Sequence, residues 1–446
     1  GDGKRMRSDK PKVLAEVLFQ PMLRWVLDAV KQAGVDNTAV IVGAHKEQVT
    51  AYLDTLGEYP AFEQKERLGT GHAVMQAKPF IEKAQAENAD ILVAYGDAPF
   101  IDADTITGSY EYHKNSGNDV TVVSAIVDDP TGYGRIIKEN DTFKAIVEQK
   151  DCDSEQAKVR EINSGIYWFK AEKLSGLLDK LGNNNAAGEY YLTDTVAEKK
   201  GVYTADSTDV VLGANSRSQL AALNEVARKR KLAELMDEGV DIPLSDGIII
   251  GKDVKIGHDT VILPNTIIKG KTVIGNGCEI GPNSYIADCV IEDNVILNNV
   301  QAHESKVDSC AKAGPFVHLR PNTHLHSGVK IGDFVEVKNS EVGINTCIAH
   351  LTYVGDSDVG KGVNFGCGCV TANYDGIKKY RTTIGDNAFI GCNTNLIAPV
   401  TIGDNATTAA GSTITKNVPA DSLAVERGQT RIIEHWEKNS KRIKKA

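Results

Sequence analysis

Two stretches of the chain bring phosphate-handling residue types together. The first is Gly1-Asp-Gly-Lys-Arg-Met-Arg-Ser-Asp-Lys-Pro-Lys12. Its glycines let backbone N–H groups approach phosphate oxygens, and Arg5 and Lys12 supply neutralising charge. Tyr95-Gly96-Asp97 closes an apolar run, and an Asp at the carboxyl end of a strand suits Mg²⁺, which takes carboxylate and phosphate oxygens. A helix N-cap is the alternative for Asp97. Gln64 to His72, with Gly69 and Thr70, opens a helix and offers amide and backbone groups to a base edge. Gly134, Glu148, Asn163 and Thr193 lie on loops where polar groups can grip sugar hydroxyls, although each alone also reads as turn chemistry. The second stretch holds Arg320, Lys338, His350, Tyr353, Asn364, Asn373, Tyr374 and Lys379. A neutral imidazole can take a proton while cations hold an anion. A structural histidine is the competing reading of His350 by itself; the set carries more than any member.

The elements that must position the first group alternate. Short β-branched runs at 38–42, 91–95, 120–126 and 162–169 are separated by helical patterns such as 22–33 and 73–84. Such alternation predicts an α/β domain with a doubly wound, mostly parallel, Rossmann-like sheet whose ligands sit at the carboxyl ends of the strands. No apolar strand precedes the opening Gly-rich loop, so a first strand is expected to be missing. Asn215 precedes a helix predicted over 217–238, with Leu220, Leu223, Val226, Leu232 and Leu235 on its apolar stripe and Gly239 at its C-terminal cap. Its charge run Arg228-Lys-Arg-Lys231 reads as a solvated face.

The second group sits in a six-residue repeat. Ile250, Ile256, Ile262, Ile268, Ile274, Ile280 and Ile286 share one period. The phase slips near Ile291 and resumes at Val307, Ala313, Leu319, Leu325, Ile331 and Val337. Val342, Ile348 and Val354 follow, and Ile384, Ile390, Leu396, Ile402, Thr408 and Ile414 form a last set. Period six predicts a parallel β-helix with three hexads per coil and a narrow aliphatic interior. Of 27 aromatic residues only 9 lie after position 240, which such an interior explains. The segment 366–383 is expected to protrude as a loop.

Totals set bounds on partners. Fifty Lys+Arg against 60 Asp+Glu give a formal charge of −10, a poor balance for a nucleic-acid binder. No apolar run is long enough for a transmembrane helix. Eight cysteines without a CxxC pair, and no visible secretory signal, point to reduced thiols in the cytoplasm.

Taken together, Gly1 to Arg5, Pro11-Lys-Val-Leu14, Gln64 to Ala73, Tyr95-Gly-Asp97, Asp129 to Ile136, Glu161 to Ile166, Gly188 to Asp194, Ile348 to Tyr353 and Asn373 to Gly376 carry a resemblance. The chain resembles the bacterial bifunctional N-acetylglucosamine-1-phosphate uridyltransferase/glucosamine-1-phosphate acetyltransferase family from Gly1 to about Arg427. The resemblance implies a uridyltransferase domain over 1–215, a linker helix over 216–240, a left-handed β-helix of hexapeptide repeats over 241–420, and a tail over 421–446. It implies that UTP and N-acetylglucosamine 1-phosphate become UDP-N-acetylglucosamine, a precursor for peptidoglycan and lipopolysaccharide. Arg5 and Lys12 would stabilise the UTP phosphates, Gln64 and Gly69 would face the uracil, and Asp97 with Asn215 would hold Mg²⁺. Gly1, Thr70 and Tyr95 would also contact the nucleotide, and Gly134, Glu148, Asn163 and Thr193 would line the sugar site.

The same resemblance implies acetyl transfer from acetyl-CoA to glucosamine 1-phosphate, with His350 as general base. Arg320, Lys338 and Lys379 would hold the sugar phosphate, and Tyr353, Asn364 and Asn373 would orient the sugar. Cys367, Tyr374, Cys392, Ala410 and Arg427 would contact acetyl-CoA, in a homotrimer with acetyl sites between subunits. Lys4 stands where the family usually has Thr, and Lys10 where an apolar residue is common. Cys367 and Cys392 replace small residues and read as packing changes. The family's lead-in strand helps seat the nucleotide, so its absence is expected to weaken uridylyl transfer. The basic segment 438–445 reads as a solvated tail, with a contact to CoA phosphates as the sharper option. The competing expectations are a single-function nucleotidyltransferase with a regulatory solenoid, and a non-catalytic scaffold.

Overall fold

The structure, a computed structural model, describes residues 4–57, 59–195 and 199–436. Gly1 and the segment 438–445 lie outside the described residues. The chain divides into two compact units, 1–227 and 228–446.

In the first unit, α1 (Met22–Gln32) buries Met22, Leu23, Val26, Leu27, Ala29 and Val30, the three-and-four spacing of one helix face. Strands β1 (Val40–Val42) and β2 (Ala61–Glu63) form a parallel pair. The helix expected over 73–84 is two helices, α2 (Thr70–Met75) and α3 (Lys78–Ala86). Pro79 sits in the first turn of α3, where its missing N–H is tolerated, and it cannot continue a helix begun upstream. Next come β3 (Asp90–Val93), α4 (Ala103–Asn115), β4 (Val120–Ile126), β5 (Arg135–Glu139), β6 (Thr142–Val147), β7 (Glu161–Lys170) and β8 (Lys200–Thr204).

The larger sheet runs β8-β4-β7-β5-β6, with β3 also on β7. Strands β8 and β4 pair in parallel, while β3, β4 and β5 each pair with β7 in antiparallel fashion. The sheet is thus more mixed than the alternating pattern suggests. An inverted strand, β7, is buried from Ile162 to Phe169 and divides strands that run with one another. The β1–β2 pair is a separate sheet, and a cavity of about 1360 Å³ lies between β1 and β3, lined in part by Val40, Val42, Ile91 and Val93.

Helix α5 (Arg217–Asp237) carries the boundary between the units. Gly239 ends it at φ +95°, and Val240 N–H returns to the Leu235 carbonyl at 2.9 Å, the C-terminal motif its position predicts. The charge run is not wholly solvated: Lys231 is 8% exposed and bonds Glu234 at 2.7 Å.

The second unit is a solenoid of three parallel sheets of ten, nine and ten strands. The first face starts at Ile249–Ile250, the second at Lys255–Ile256 and the third at Val261–Ile262. Every repeat position named above is buried, from Ile250 to Ile414. Residues one coil apart stack in register, Ile250 on Ile268 on Ile286, then Ala302 and Leu319. Asn265, Asn283 and Asn299 turn corners in the left-handed region, which asparagine tolerates. The slip near Ile291 is a coil one residue short, with Ile274 opposite Ile291. One aromatic enters the interior: Phe365 is 3% exposed between Ile348 and Ile390. The expected 366–383 loop is shorter than its sequence limits. Cys369 and Thr371 stay inside the coil at 1% exposure, and the excursion is closed by the Tyr374–Lys379 bridge, with Ile377 exposed at its tip.

Candidate functional site

In the first unit, Asp97 follows β3, and Asn215 precedes α5. Lys12 brings them together. Its ammonium pairs with Asp97 Oδ2 and donates to Asn215 Oδ1 at 2.8 Å. Two oxygens from distant segments thus converge on one cationic position. Hard oxygen donors of this kind suit Mg²⁺, so the donor set fits the metal the sequence suggests. Arg5 is exposed in the 3₁₀ turn Lys4–Met6.

A second group is assembled from β5, β7 and the strap before 195. Thr193 Oγ1 donates to Glu148 Oε1 at 3.2 Å. A Cβ on Gly134 would stand 3.5 Å from Glu148 Oε1, and Asn163 N–H bonds the Gly134 carbonyl at 2.9 Å. Burial raises the Glu148 pKa, which the bond from Thr193 offsets only in part. Asn163 Nδ2 donates to Tyr167 Oη at 2.6 Å. Burial, with the nearby Glu148 charge, pushes Tyr95 far above an ordinary phenol, so it stays a neutral hydrogen-bonding group. Tyr167 was not singled out from sequence. It lies in an apolar strand, and only the packed sheet turns its hydroxyl toward Asn163.

Gln64 and Gly69 close a small turn. Gln64 Nε2 donates to the Gly69 carbonyl at 3.0 Å and lies 3.2 Å from His72 Nδ1. Gly69 has φ +113°, and a Cβ there would meet the Tyr190 carbonyl at 2.5 Å. Thr70 Oγ1 accepts from Leu192 N–H at 3.0 Å, tying this turn to the strap that carries Thr193.

In the solenoid, Arg320, Lys338 and Lys379 surround one pocket of about 500 Å³ with Asp356, Tyr380 and Arg381. Arg320 follows one first-face strand, Lys338 ends the next, and the protruding loop delivers Lys379. Contact with the Lys379 ammonium, with some desolvation, depresses the Lys338 pKa. Crowded cations of this kind favour an anion between them. Arg320 Nη1 also pairs with Glu336 at 2.8 Å. Asn373 is buried, bonds Asp356 Oδ2, and lies 3.4 Å from Tyr353 Oη. Asn339 Nδ2 holds the other oxygen of Asp356 at 2.5 Å. Asp356 is 4% exposed, and sequence reading missed it. Its segment Gly355-Asp-Ser-Asp358 reads as an ordinary corner until coils are stacked.

His350 is exposed at the end of a third-face strand, opposite Asp333 one coil earlier. Its corner continues along the solenoid. Gly368 N–H bonds the His350 carbonyl at 3.3 Å, Asn393 N–H bonds Cys367 O at 2.7 Å, and Gly411 N–H bonds Cys392 O at 2.8 Å. Cys367, Cys392 and Ala410 therefore follow His350 on successive coils, and Arg427 Cδ lies 3.9 Å from a Cβ built on Gly411. Asn364 is exposed on the third face, one coil after Cys347. Tyr374 is 60% exposed in the loop, its hydroxyl on the Gly376 carbonyl at 2.7 Å. The first face thus has His350 at its entry corner and three cations at its exit.

Comparison with known proteins agrees with this two-part layout. Residues 1–238 match the MobA-like NTP transferase domain, and residues 381–416 match the bacterial transferase hexapeptide (six repeats). The chain is 46% identical over 443 residues to the bifunctional protein GlmU of Acetivibrio thermocellus, covering 98% of this chain and 95% of that one. It is 43% identical over 442 residues to the bifunctional protein GlmU of Clostridium acetobutylicum, covering 98% and 96%. It is also 46% identical over 452 residues to that of Caldanaerobacter subterraneus subsp. tengcongensis, covering 100% and 97%. The chain belongs to the bifunctional GlmU family, with an NTP-transferase unit followed by a hexapeptide-repeat solenoid.

Proposed function

We propose that the chain makes UDP-N-acetylglucosamine in two steps on its two units. What supports this reading is the Lys12–Asp97–Asn215 cluster in the first unit and the pocket lined by Arg320, Lys338 and Lys379 in the second, in a chain of the GlmU family. In the solenoid, Arg320, Lys338 and Lys379 hold the phosphate of glucosamine 1-phosphate, and Tyr353, Asn364 and Asn373 orient its ring. His350 Nε2 or Nδ1 takes the amine proton as the nitrogen attacks the thioester of acetyl-CoA, assistance worth about 10²–10⁴-fold. Cys367, Tyr374, Cys392, Ala410 and Arg427 form the acetyl-CoA track. In the first unit, N-acetylglucosamine 1-phosphate is held by Gly134, Glu148, Asn163 and Thr193, and its phosphate oxygen attacks the α-phosphorus of UTP, expelling pyrophosphate. Gln64 and Gly69 face the uracil. Asp97 and Asn215 would hold Mg²⁺, which supplies charge neutralisation to the triphosphate; Lys12 and Arg5 add to it.

The domain limits of the proposal are 1–215, 216–240, 241–420 and 421–446. A homotrimer with acetyl sites between subunits is part of it. Stacked Phe316 and Phe334, exposed at 55% and 58%, stand with Leu351 at the corner that His350 shares, an apolar column suited to a neighbouring copy. No described helix is long and apolar enough to cross a membrane; the cytoplasm is the proposed location, with no nucleic-acid partner. A scaffold or single-function enzyme is disfavoured by the assembled His350 and cation sites.

The test is a dual assay. Asp97→Ala is expected to abolish pyrophosphate release from UTP and N-acetylglucosamine 1-phosphate while sparing CoA release from acetyl-CoA and glucosamine 1-phosphate. His350→Ala is expected to do the reverse. If either change silences both activities in a folded protein, the two-site scheme is wrong.

A further inference from the structure

The second face of the solenoid carries a cluster that neither transfer reaction uses. His324 and His326 are alternate residues of one strand and its corner, with ring centroids 3.9 Å apart. One coil earlier, Asp308 presents Oδ1 to His324 Nε2 at 2.9 Å and Oδ2 to His326 Nδ1 at 3.1 Å. One coil later, Glu341 Oε2 lies 2.9 Å from His324 Nδ1 and 3.0 Å from His326 Nε2. Lys306 also bonds Asp308, at 2.9 Å, and lies 3.6 Å from Glu292. Asp308 is well covered, its side chain 13% exposed, and the imidazoles are 20% and 35% exposed. Burial works to raise the Asp308 pKa, but the bonds from Lys306 and His324 outweigh it and keep the carboxyl below its usual range.

This register has a chemical consequence. Three residues, Asp308, His324 and His326, each offer one ligand atom within 4.8 Å of the others. Any two ligand atoms around tetrahedral zinc are about 3.3 Å apart, given metal–nitrogen distances of about 2.0–2.1 Å. The two imidazole–carboxylate separations are within a few tenths of an ångström of that spacing. Two imidazoles and a carboxylate are a borderline donor set. They select Zn²⁺, Co²⁺ or Ni²⁺ over Mg²⁺, which demands six oxygens or waters in near-octahedral order. The opposite imidazole nitrogens face Glu341, the outer carboxylate that fixes ring orientation in many histidine metal sites. The three ligands come from two successive coils, and Glu341 adds the next. In a solenoid whose repeats contact only their neighbours, such a bond clamps coils that otherwise hold by ladder bonds and interior packing.

We propose that Asp308, His324 and His326 bind one divalent transition ion of the zinc class per chain, with Glu341 as the outer carboxylate, and that this ion clamps the middle coils of the solenoid. Binding releases Lys306 from Asp308 and replaces the contacts that Asp308 now makes with the two imidazoles. The site is separate from Asp97 and Asn215, and it takes nitrogen-ligand metals that the oxygen site does not select.

The test uses the full chain, stripped with chelator and held in excess Mg²⁺ so that oxygen sites are filled. Titration with Zn²⁺ alone is expected to show one ion bound per chain and a rise in the unfolding midpoint. His324→Ala and His326→Ala are each expected to weaken that binding by at least about tenfold and to remove the rise. Asp308→Asn, which keeps the side-chain volume, is expected to do the same. Circular dichroism and undiminished CoA release establish that each variant is folded. Co²⁺ in place of Zn²⁺ is expected to give visible ligand-field bands without thiolate charge-transfer absorption. No uptake by the unaltered chain, uptake that the histidine variants match, or uptake abolished by alkylating the cysteines would overturn the proposal.

Discussion

Glu148 is where the sugar binding we propose and the holding of the fold pull in opposite directions. Burial raises its pKa, so the fold favours the neutral acid, while a sugar hydroxyl is better held by the anion. The sign follows from linkage. The neutral form is preferred in the fold, so a stability penalty is present above the raised pKa and disappears below the ordinary carboxylate range. Glu148→Gln is therefore expected to raise the unfolding midpoint of the first unit at neutral pH. The gain is about 2–4 °C if the relief is about 1 kcal/mol, and it vanishes near about pH 4. The same variant is expected to raise KM for N-acetylglucosamine 1-phosphate about tenfold to hundredfold, the worth of a hydrogen bond to a charged group. Calorimetry across pH and pyrophosphate-release kinetics check both halves; a variant less stable at neutral pH would refute the electrostatic account. Lys338 gives the mirror case in the solenoid. Lys379 depresses its pKa, so its charge fades at lower pH than a free lysine's. Lys379→Met is expected to raise KM for glucosamine 1-phosphate about tenfold or more. It should also move the alkaline rise in that KM to higher pH, because Lys338 recovers an ordinary affinity for its proton. Lys338 and Lys379 stood out in sequence as candidates because their types fit phosphate chemistry, and Glu148 because a carboxylate can grip a sugar hydroxyl. Asp356 and Tyr167 did not, since their roles arise only when coils stack or sheets pack.

At the scale of elements, the period of the pattern was easier to read than its interruptions. Period six located the interior positions from Ile250 to Ile286, Val307 to Val354 and Ile384 to Ile414, because one residue in six must point inward wherever the coil closes, but it passed over Ala302 and Phe365, which the phase slips hide. The limits of the protruding loop were missed. Cys369 and Thr371 look like loop residues in sequence, yet the coil needs them to complete its first face. The α2–α3 break was also missed, because the apolar spacing continues smoothly across Pro79 and only the ring closes off the first helix. The inverted strand β7 has the same β-branched, aromatic character as the strands it pairs with, so composition gave no clue to its direction. The turn before α2 makes an element-level prediction. Gly69 combines a positive φ with a carbonyl 2.5 Å from where a Cβ would sit. Gly69→Ala must move either the turn or the strap at Tyr190, which leads to Thr193. Uridylyl transfer is expected to fall by at least about tenfold, since misplacing positioning groups by about an ångström can cost about 10²-fold. CoA release should be unchanged. Equal rates of pyrophosphate release in variant and unaltered chain would show that the strap yields without consequence.

For the molecule as a whole, the shift in aromatic content near position 240 corresponds to two different ways of burying apolar surface. The first unit uses Tyr167, Trp168 and Phe169 on a sheet covered by helices; the second stacks aliphatic residues in a tube. The continuous apolar cluster of the solenoid runs from Leu232 to Val418. In a repeat array, stability is close to a sum of coil and neighbour terms. Nothing in that sum requires the first unit. His350 and the Arg320–Lys338–Lys379 pocket also lie wholly within the second unit. A fragment from Arg217 to Ala446, which keeps α5 intact, is therefore expected to fold alone. It should release CoA at a rate within about threefold of the full chain, less than the tenfold that about 1.4 kcal/mol of barrier represents, and release no pyrophosphate. The full chain should then unfold in two transitions, of which the fragment reproduces one. A fragment that is unfolded by circular dichroism, or folded but unable to acetylate, would mean that the solenoid depends on the first unit for more than covalent attachment.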